Sequence, residues 1–174
     1  PQADRHSPPW EGRGRPFGGA EEAPEGGSRS IMKILVINPG STSTKMAVYE
    51  DASPVVLRSI THSTEELAQF ETITSQHGFR KQLVLDELER MHVDFNFDAV
   101  IGRGGLAKPV AGGVYEINRR MLDDVKNAIH QHACDLGCLI AYEIAREIPD
   151  CRSFIADPGV GDELSPLARV SGSP

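Results

Sequence analysis

The sequence predicts an α/β fold around a mixed sheet: a β-β-β meander, then helix–strand–helix units. Three observations predict it. Two apolar runs, Ile34-Leu35-Val36-Ile37 and Met46-Ala47-Val48-Tyr49, pinch a short polar loop between them, and a third strand-like run follows at 54–62. Segments 77–91, 118–131 and 135–147 carry apolar side chains at helical spacing. Short apolar runs at 98–101 and 153–156 stop at glycine or Asp-Pro, as buried strands do where they run into loops.

Taken in order, residues 33–38 and 44–50 are expected to pair around the loop, with 54–62 as the third strand after the turn Glu50-Asp51-Ala52-Ser53. Short connections between successive strands make the meander antiparallel. The first helix, 77–91, presents Phe79, Leu83, Val84, Leu88 and Met91 as its apolar stripe. Strand 98–101 ends at Gly102-Arg103-Gly104-Gly105. The second helix, 118–131, starts at an Asn118 cap and buries Met121, Leu122, Val125 and Ile129. The third, 135–147, turns Leu136, Leu139, Ile140, Ile144 and Ile148 inward, and strand 153–156 leads into Asp157-Pro158.

The chain of 174 residues suits one domain or slightly more. Its net charge of −7 argues against nucleic acid and against anionic membrane surfaces as partners. No apolar stretch approaches the roughly 20 residues needed to span a bilayer. Cys134, Cys138 and Cys151 are too few and too unevenly spaced for a disulfide framework. Cys134 and Cys138 share a helix face, but a tetrahedral metal site needs four ligands. Buried, reduced thiols of a cytoplasmic protein are the expectation. Residues 1–31 are rich in Pro, Gly, Glu and Arg and show no apolar periodicity. They are expected to be a disordered or spurious leader, with a functional tail as the alternative, and the domain proper to occupy 32–174. The turn-like ending Val170-Ser171-Gly172-Ser173-Pro174 reads as a truncation.

The loop Asn38-Pro39-Gly40-Ser41-Thr42-Ser43-Thr44-Lys45 is the densest chemical signal. Glycine lets a backbone approach an anion and takes up positive φ without strain. Hydroxyls donate hydrogen bonds, and lysine supplies a point charge. A polar hairpin turn does not need so many donors. A Walker A loop, and with it a P-loop nucleotide switch, is disfavoured: Thr44 stands where that motif needs glycine, and a strand follows instead of a helix. Thr42 and Thr44 read as strand-edge residues only. Arg103, among three glycines at a strand end, is placed to grip a carboxylate or phosphoryl group with both arms of its fork; the plainer reading is a surface arginine beside a turn. Asp157 is placed to hold magnesium through water or to orient a carboxylate, against the plainer reading of a turn aspartate before proline. His130, Asp162 and Glu163 read as solvated.

Four segments together resemble the butyrate kinases, of the acetate/butyrate kinase family and the actin-like (ribonuclease H-like) ATPase superfamily. They are the loop from Ile37 to Lys45 with proline after its asparagine, Gly102-Arg103-Gly104-Gly105-Leu106, Gln131-His132-Ala133-Cys134-Asp135-Leu136-Gly137, and the run from Phe154-Ile155-Ala156-Asp157-Pro158 to Gly172. The resemblance covers Met32 to Pro174 and implies the amino-terminal half of a two-domain kinase. Departures from the family pattern are Gly159 and Gly161 in place of valines, and Ser173 in place of a bulkier residue.

The resemblance implies reversible, MgATP-dependent phosphorylation of butanoate to butanoyl phosphate, with acetate, propionate and branched-chain acids as alternative substrates. Its implied phosphate contacts are Asn38, Gly40, Ser41, Ser43 and Lys45. Arg103, His132 and Asp157 are the implied catalytic residues, with Asp157 also the implied Mg²⁺ contact and His132 a donor to the transferring phosphoryl group; the plainer reading of His132 is a helix-end histidine. A homo-oligomer is expected at full length, and no activity from the 174 residues alone. A non-catalytic phosphate-binding half-domain is the competing reading from another class.

Overall fold

The computed structural model of the protein describes residues 30–105, 112–129 and 131–157. Its strands are β1 (Lys33–Pro39), β2 (Ser43–Glu50), β3 (Ser53–Thr61), β4 (Ala99–Arg103), β5 (Val114–Glu116) and β6 (Arg152–Ala156). Its helices are α1 (Thr64–Leu67), α2 (His77–Arg90), α3 (Arg119–Lys126) and α4 (Leu136–Ala145), with 3₁₀ turns at Thr74–Gln76 and Ala133–Asp135. The sheet order is β3-β2-β1-β4-β6-β5. Strands β1, β4 and β6 run parallel, while β2, β3 and β5 pair antiparallel to their neighbours. An antiparallel meander feeding parallel strands through helices is the actin-like, ribonuclease H-like arrangement expected from the sequence.

Alternation along the strands explains the core. Leu35 and Ile37 of β1, Met46 and Val48 of β2, Val56 of β3, Val100 of β4 and Ile155 of β6 turn to one face and are buried. Helix α4 packs on β4 and β6, and α2 and α3 both pack on α4. That helix is buried nearly all round, through Leu136, Cys138, Leu139, Ile140, Ala141 and Ile144. A helix apolar on every side belongs in the middle of a layer. All three cysteines are free; burial, and then the Asp135 charge, push the Cys138 thiol up to about 12.

Several expectations need correction. The second helix stops at Lys126, short of 131, and Ile129 is 93% exposed instead of buried. The chain leaves the helix there and brings the Gln131 side chain to Thr74, whose N–H and hydroxyl both donate to Gln131 Oε1 at 3.2 Å. The third helix begins at Leu136, directly after the 3₁₀ turn Ala133–Asp135, and ends at Ala145, leaving Ile148 beyond it and half-buried. Strand β4 runs on through Arg103, so Arg103 is a strand residue. The buried face of α2 is Arg80-Val84-Leu88, continued by Gln76 before the helix, with Phe79, Leu83 and Met91 only half-buried at its flanks. The short helix α1, closed by a capping box between Ser63 and Glu66, and the edge strand β5 were not expected.

The leader expected over 1–31 lies outside the described residues except for Ser30 and Ile31, as do His130, Asp162, Glu163, Gly159, Gly161 and Ser173. Among the described residues no helix is long and apolar enough to cross a membrane.

Candidate active-site edge

Parallel strands place their carboxyl ends on one edge of a sheet, and in open α/β sheets ligands bind outside that edge. Here β1, β4 and β6 are adjacent, with Ile37 opposite Gly102, Gly102 opposite Ile155, and Arg103 opposite Ala156. Asn38, Arg103 and Asp157 therefore emerge side by side, one from the end of each strand.

The polar loop closes over the β1 end. Gly40 N–H donates to Ser43 O at 2.7 Å, and Asn38 pairs in register with Lys45. Asn38 and Lys45 line a shallow depression of about 390 Å³ with Val36, Ala47, Leu57 and Ser59, on the sheet face away from α2. Lys45 and Ser41 are exposed and Ser43 is half-buried. Gly40 does not adopt the positive φ expected of it, and a Cβ there would meet only ordinary contacts, the nearest at 3.5 Å. The turn closes within the common backbone regions, so nothing in its own geometry demands glycine.

Thr44 is not a strand-edge residue: it is fully buried. Its Oγ1 lies 2.8 Å from His62 Nε2 and accepts from Arg80 Nη1 at 3.2 Å. The Arg80 guanidinium, 1% exposed, lies beneath the loop. Nη1 donates to Gly40 O at 2.7 Å and to Ser43 O at 3.1 Å, and Nη2 donates to Ser41 O at 3.1 Å. Gln76 Oε1 accepts from both Nε and Nη2. The sequence reading passed over Arg80, His62 and Gln76. The available signal was the four-residue spacing of Gln76, Arg80, Val84 and Leu88, which puts a cation in the buried stripe of a helix.

Arg103 is exposed at the end of β4, and Gly104 N–H donates to Ala156 O at 2.9 Å. Gly104 and Gly105 take φ of 77° and 94°, with the Cys134 and Cys138 side chains close against them. This contact sets the 3₁₀ turn 133–135, which His132 caps, against the same edge. His132 N–H donates to Asp135 Oδ2 at 2.7 Å, and His132 Nδ1 accepts from Cys134 N–H at 3.5 Å. The ring is thus also a capping group, as the plainer reading had it. Asp157 follows β6 at φ 50° and is exposed, its N–H donating to Gly113 O at 3.3 Å.

Among the described residues no group of three His, Cys, Asp or Glu could hold a metal ion. Magnesium commonly uses one or two carboxylates with substrate phosphates and water. A single exposed Asp157 at the edge fits that mode. The larger depression, about 650 Å³, lies at the opposite edge between the ends of α2 and α4. It gathers Asp86, Glu89, Asp94 and Glu147, a lining that would repel an anion.

Burial, and then the Arg80 charge, hold the His62 imidazole below its ordinary pKa. The sign follows: with the folded pKa depressed, the unfolded chain binds the proton first as pH falls through about 6.5. Stability present above that pH is lost below it. Urea midpoints at pH 7.5 and 5.5 should therefore fall further apart in the parent chain than in His62→Gln. Equal shifts would mean that folding leaves the imidazole pKa unchanged.

The topology is that of an actin-like, ribonuclease H-like α/β fold. No family model matches the chain. It is 59% identical over 143 residues to a "Probable butyrate kinase" of Bacteroides thetaiotaomicron, a match over 82% of this chain and 40% of that protein. It is 44% identical over 144 residues to "Butyrate kinase 1" of Clostridium acetobutylicum, over 82% and 40%. Among solved structures it is similar to the acetate kinase of Entamoeba histolytica, with a TM-score of 0.49 and 18% identity, over 82% of this chain and 39% of that chain. The chain is similar in sequence to these proteins named butyrate kinase, and it spans about 40% of the length of the curated relatives it matches.

Proposed function

We propose that these residues form the phosphate-gripping half of a butyrate-type carboxylate kinase, cytoplasmic and homo-oligomeric at full length. The observation that carries this reading is the 44–59% identity to proteins named butyrate kinase. A matched stretch of that length has to include both the loop and the strand ending at Arg103.

In this reading butanoate attacks the γ-phosphorus of ATP through a carboxylate oxygen. The bond to the β-phosphate oxygen breaks, and ADP leaves with the electron pair. The acceptor is already an anion at pH 7, so the step needs no general base. It needs alignment and positive charge on the transferring oxygens. Asn38, Ser41, Ser43 and Lys45 would donate to the phosphates, with the bare Gly40 backbone leaving room for approach. Arg103 would hold the transferring group bidentately, and His132 would add a donor. Asp157 would orient the acyl carboxylate or hold magnesium through water, which would neutralise phosphate charge.

The test is kcat/KM for acetate, propionate, butyrate and isovalerate, read by acyl hydroxamate formation in a full-length protein carrying these residues. An apolar acyl pocket gains roughly 0.8 kcal/mol per methylene, so butyrate should exceed acetate by about tenfold or more. A monotonic fall from acetate to butyrate would move the protein to the acetate kinase branch.

A further inference from the structure

A buried cation is ordinarily paired with a carboxylate. Among the described residues Arg80 has none: each of its hydrogen bonds ends on a neutral oxygen, from Gly40, Ser41, Ser43, Thr44 or Gln76. These acceptors satisfy the guanidinium donors but leave its charge uncompensated. They also orient the loop. In a trans peptide C=O and N–H point in opposite directions. Turning Gly40 O and Ser41 O inward to Arg80 therefore turns the Ser41 and Thr42 N–H groups outward. Among the described residues neither N–H donates a hydrogen bond to the protein.

We propose that Arg80 is the positioning residue of the phosphate loop: it holds the loop carbonyls inward, so that amides and hydroxyls face a bound phosphoryl group, and it supplies a standing positive charge beneath it. This rests on the phosphate-loop reading above. Helix α2 carries that charge into the sheet from the face opposite Asn38 and Lys45, so the anion is held from above by side chains and from below by the guanidinium field. Gln76, one helical turn before Arg80, aims the fork by accepting from two of its nitrogens.

The experiment separates charge from mere bracing. The ¹⁵N-labelled 174-residue chain is titrated with inorganic phosphate against sodium chloride of matched ionic strength, and the Ser41–Lys45 amides are followed. The parent chain should show saturable shifts there. Gln76→Glu keeps the acceptor geometry but neutralises the guanidinium. It should leave the melting temperature unchanged or raised, and weaken phosphate binding at least about threefold. Arg80→Lys keeps the charge and loses the fork. It should speed amide exchange at Ser41 and Thr42 and weaken binding about tenfold or more. A purely structural arginine would lower the melting temperature of Arg80→Lys and leave phosphate affinity unchanged in both variants, which would overturn the proposal. If Arg80→Lys does not fold, Gln76→Glu decides alone. Absence of any phosphate response in the parent chain would overturn the loop reading and this role together. A parent response that survives unchanged in Gln76→Glu would overturn this role only.

Discussion

Replacing Arg103 by alanine in a full-length protein carrying these residues is expected to lower kcat by at least ~100-fold with little change in thermal stability. Removing one preorganised electrostatic contact to a transferring group typically costs about 2.7–4 kcal/mol of transition-state stabilisation. Arg103 is exposed at the end of β4, so truncating its side chain leaves no cavity and no orphaned partner in the core. The proposed contact forms with the transferring phosphoryl group, so the loss should appear in kcat more than in KM. Asp157→Asn should act on the same step to a similar extent, because Asp157 directly follows Ala156, the register partner of Arg103 on the neighbouring strand. His132→Ala should cost less, one donor among several, and its loss of the 3₁₀ cap would show separately in a melt. A folded Arg103→Ala variant with near-normal turnover would remove that residue from the site.

Gly102→Ala is expected to be the most damaging small substitution in the fold. A Cβ at position 102 would lie 2.1 Å from Gly137 O and 2.3 Å from Gly137 C. Both obstacles are backbone of α4, so no side chain can rotate away, and strand and helix would have to separate. Overpacking ordinarily costs about 1–3 kcal/mol, occasionally more; a backbone clash in the central layer belongs at or above the top of that range. Against a typical total of 5–15 kcal/mol, the urea midpoint should drop steeply. Gly40→Ala is the contrast, since its nearest contact of 3.5 Å is ordinary, and its stability should stay close to the parent value. A Gly102→Ala chain as stable as the parent would show that β4 and α4 do not approach so closely.

That glycine pair marks a boundary in what could be read without coordinates. The glycines around Arg103 were legible as a motif, but their packing role was not. The structure gives Gly102 a packing role, because Gly137, 35 positions later in the chain, lies against it. Arg80 was invisible for the same reason: its loop acceptors are about 40 residues earlier, and only the folded chain makes a polar pocket at a position helical spacing assigns to the core. Thr44 was read as a strand-edge residue and His62 was passed over, because their partners are Arg80 and each other.

The sequence by itself determined the meander, most of the run of helices and strands, the polar loop between β1 and β2 and the three strand-end positions that hold Asn38, Arg103 and Asp157. These follow from local patterns: alternation of two in strands, 3.6 in helices, and glycine or Asp-Pro at their ends. Only the tertiary structure decided that α3 stops at Lys126, that β5 adds an edge to β6, that Gly102 meets Gly137, and that a guanidinium lies under the loop. Each depends on contacts between distant segments, whose free energies outweigh the fractions of a kcal/mol by which local propensity prefers one conformation to another.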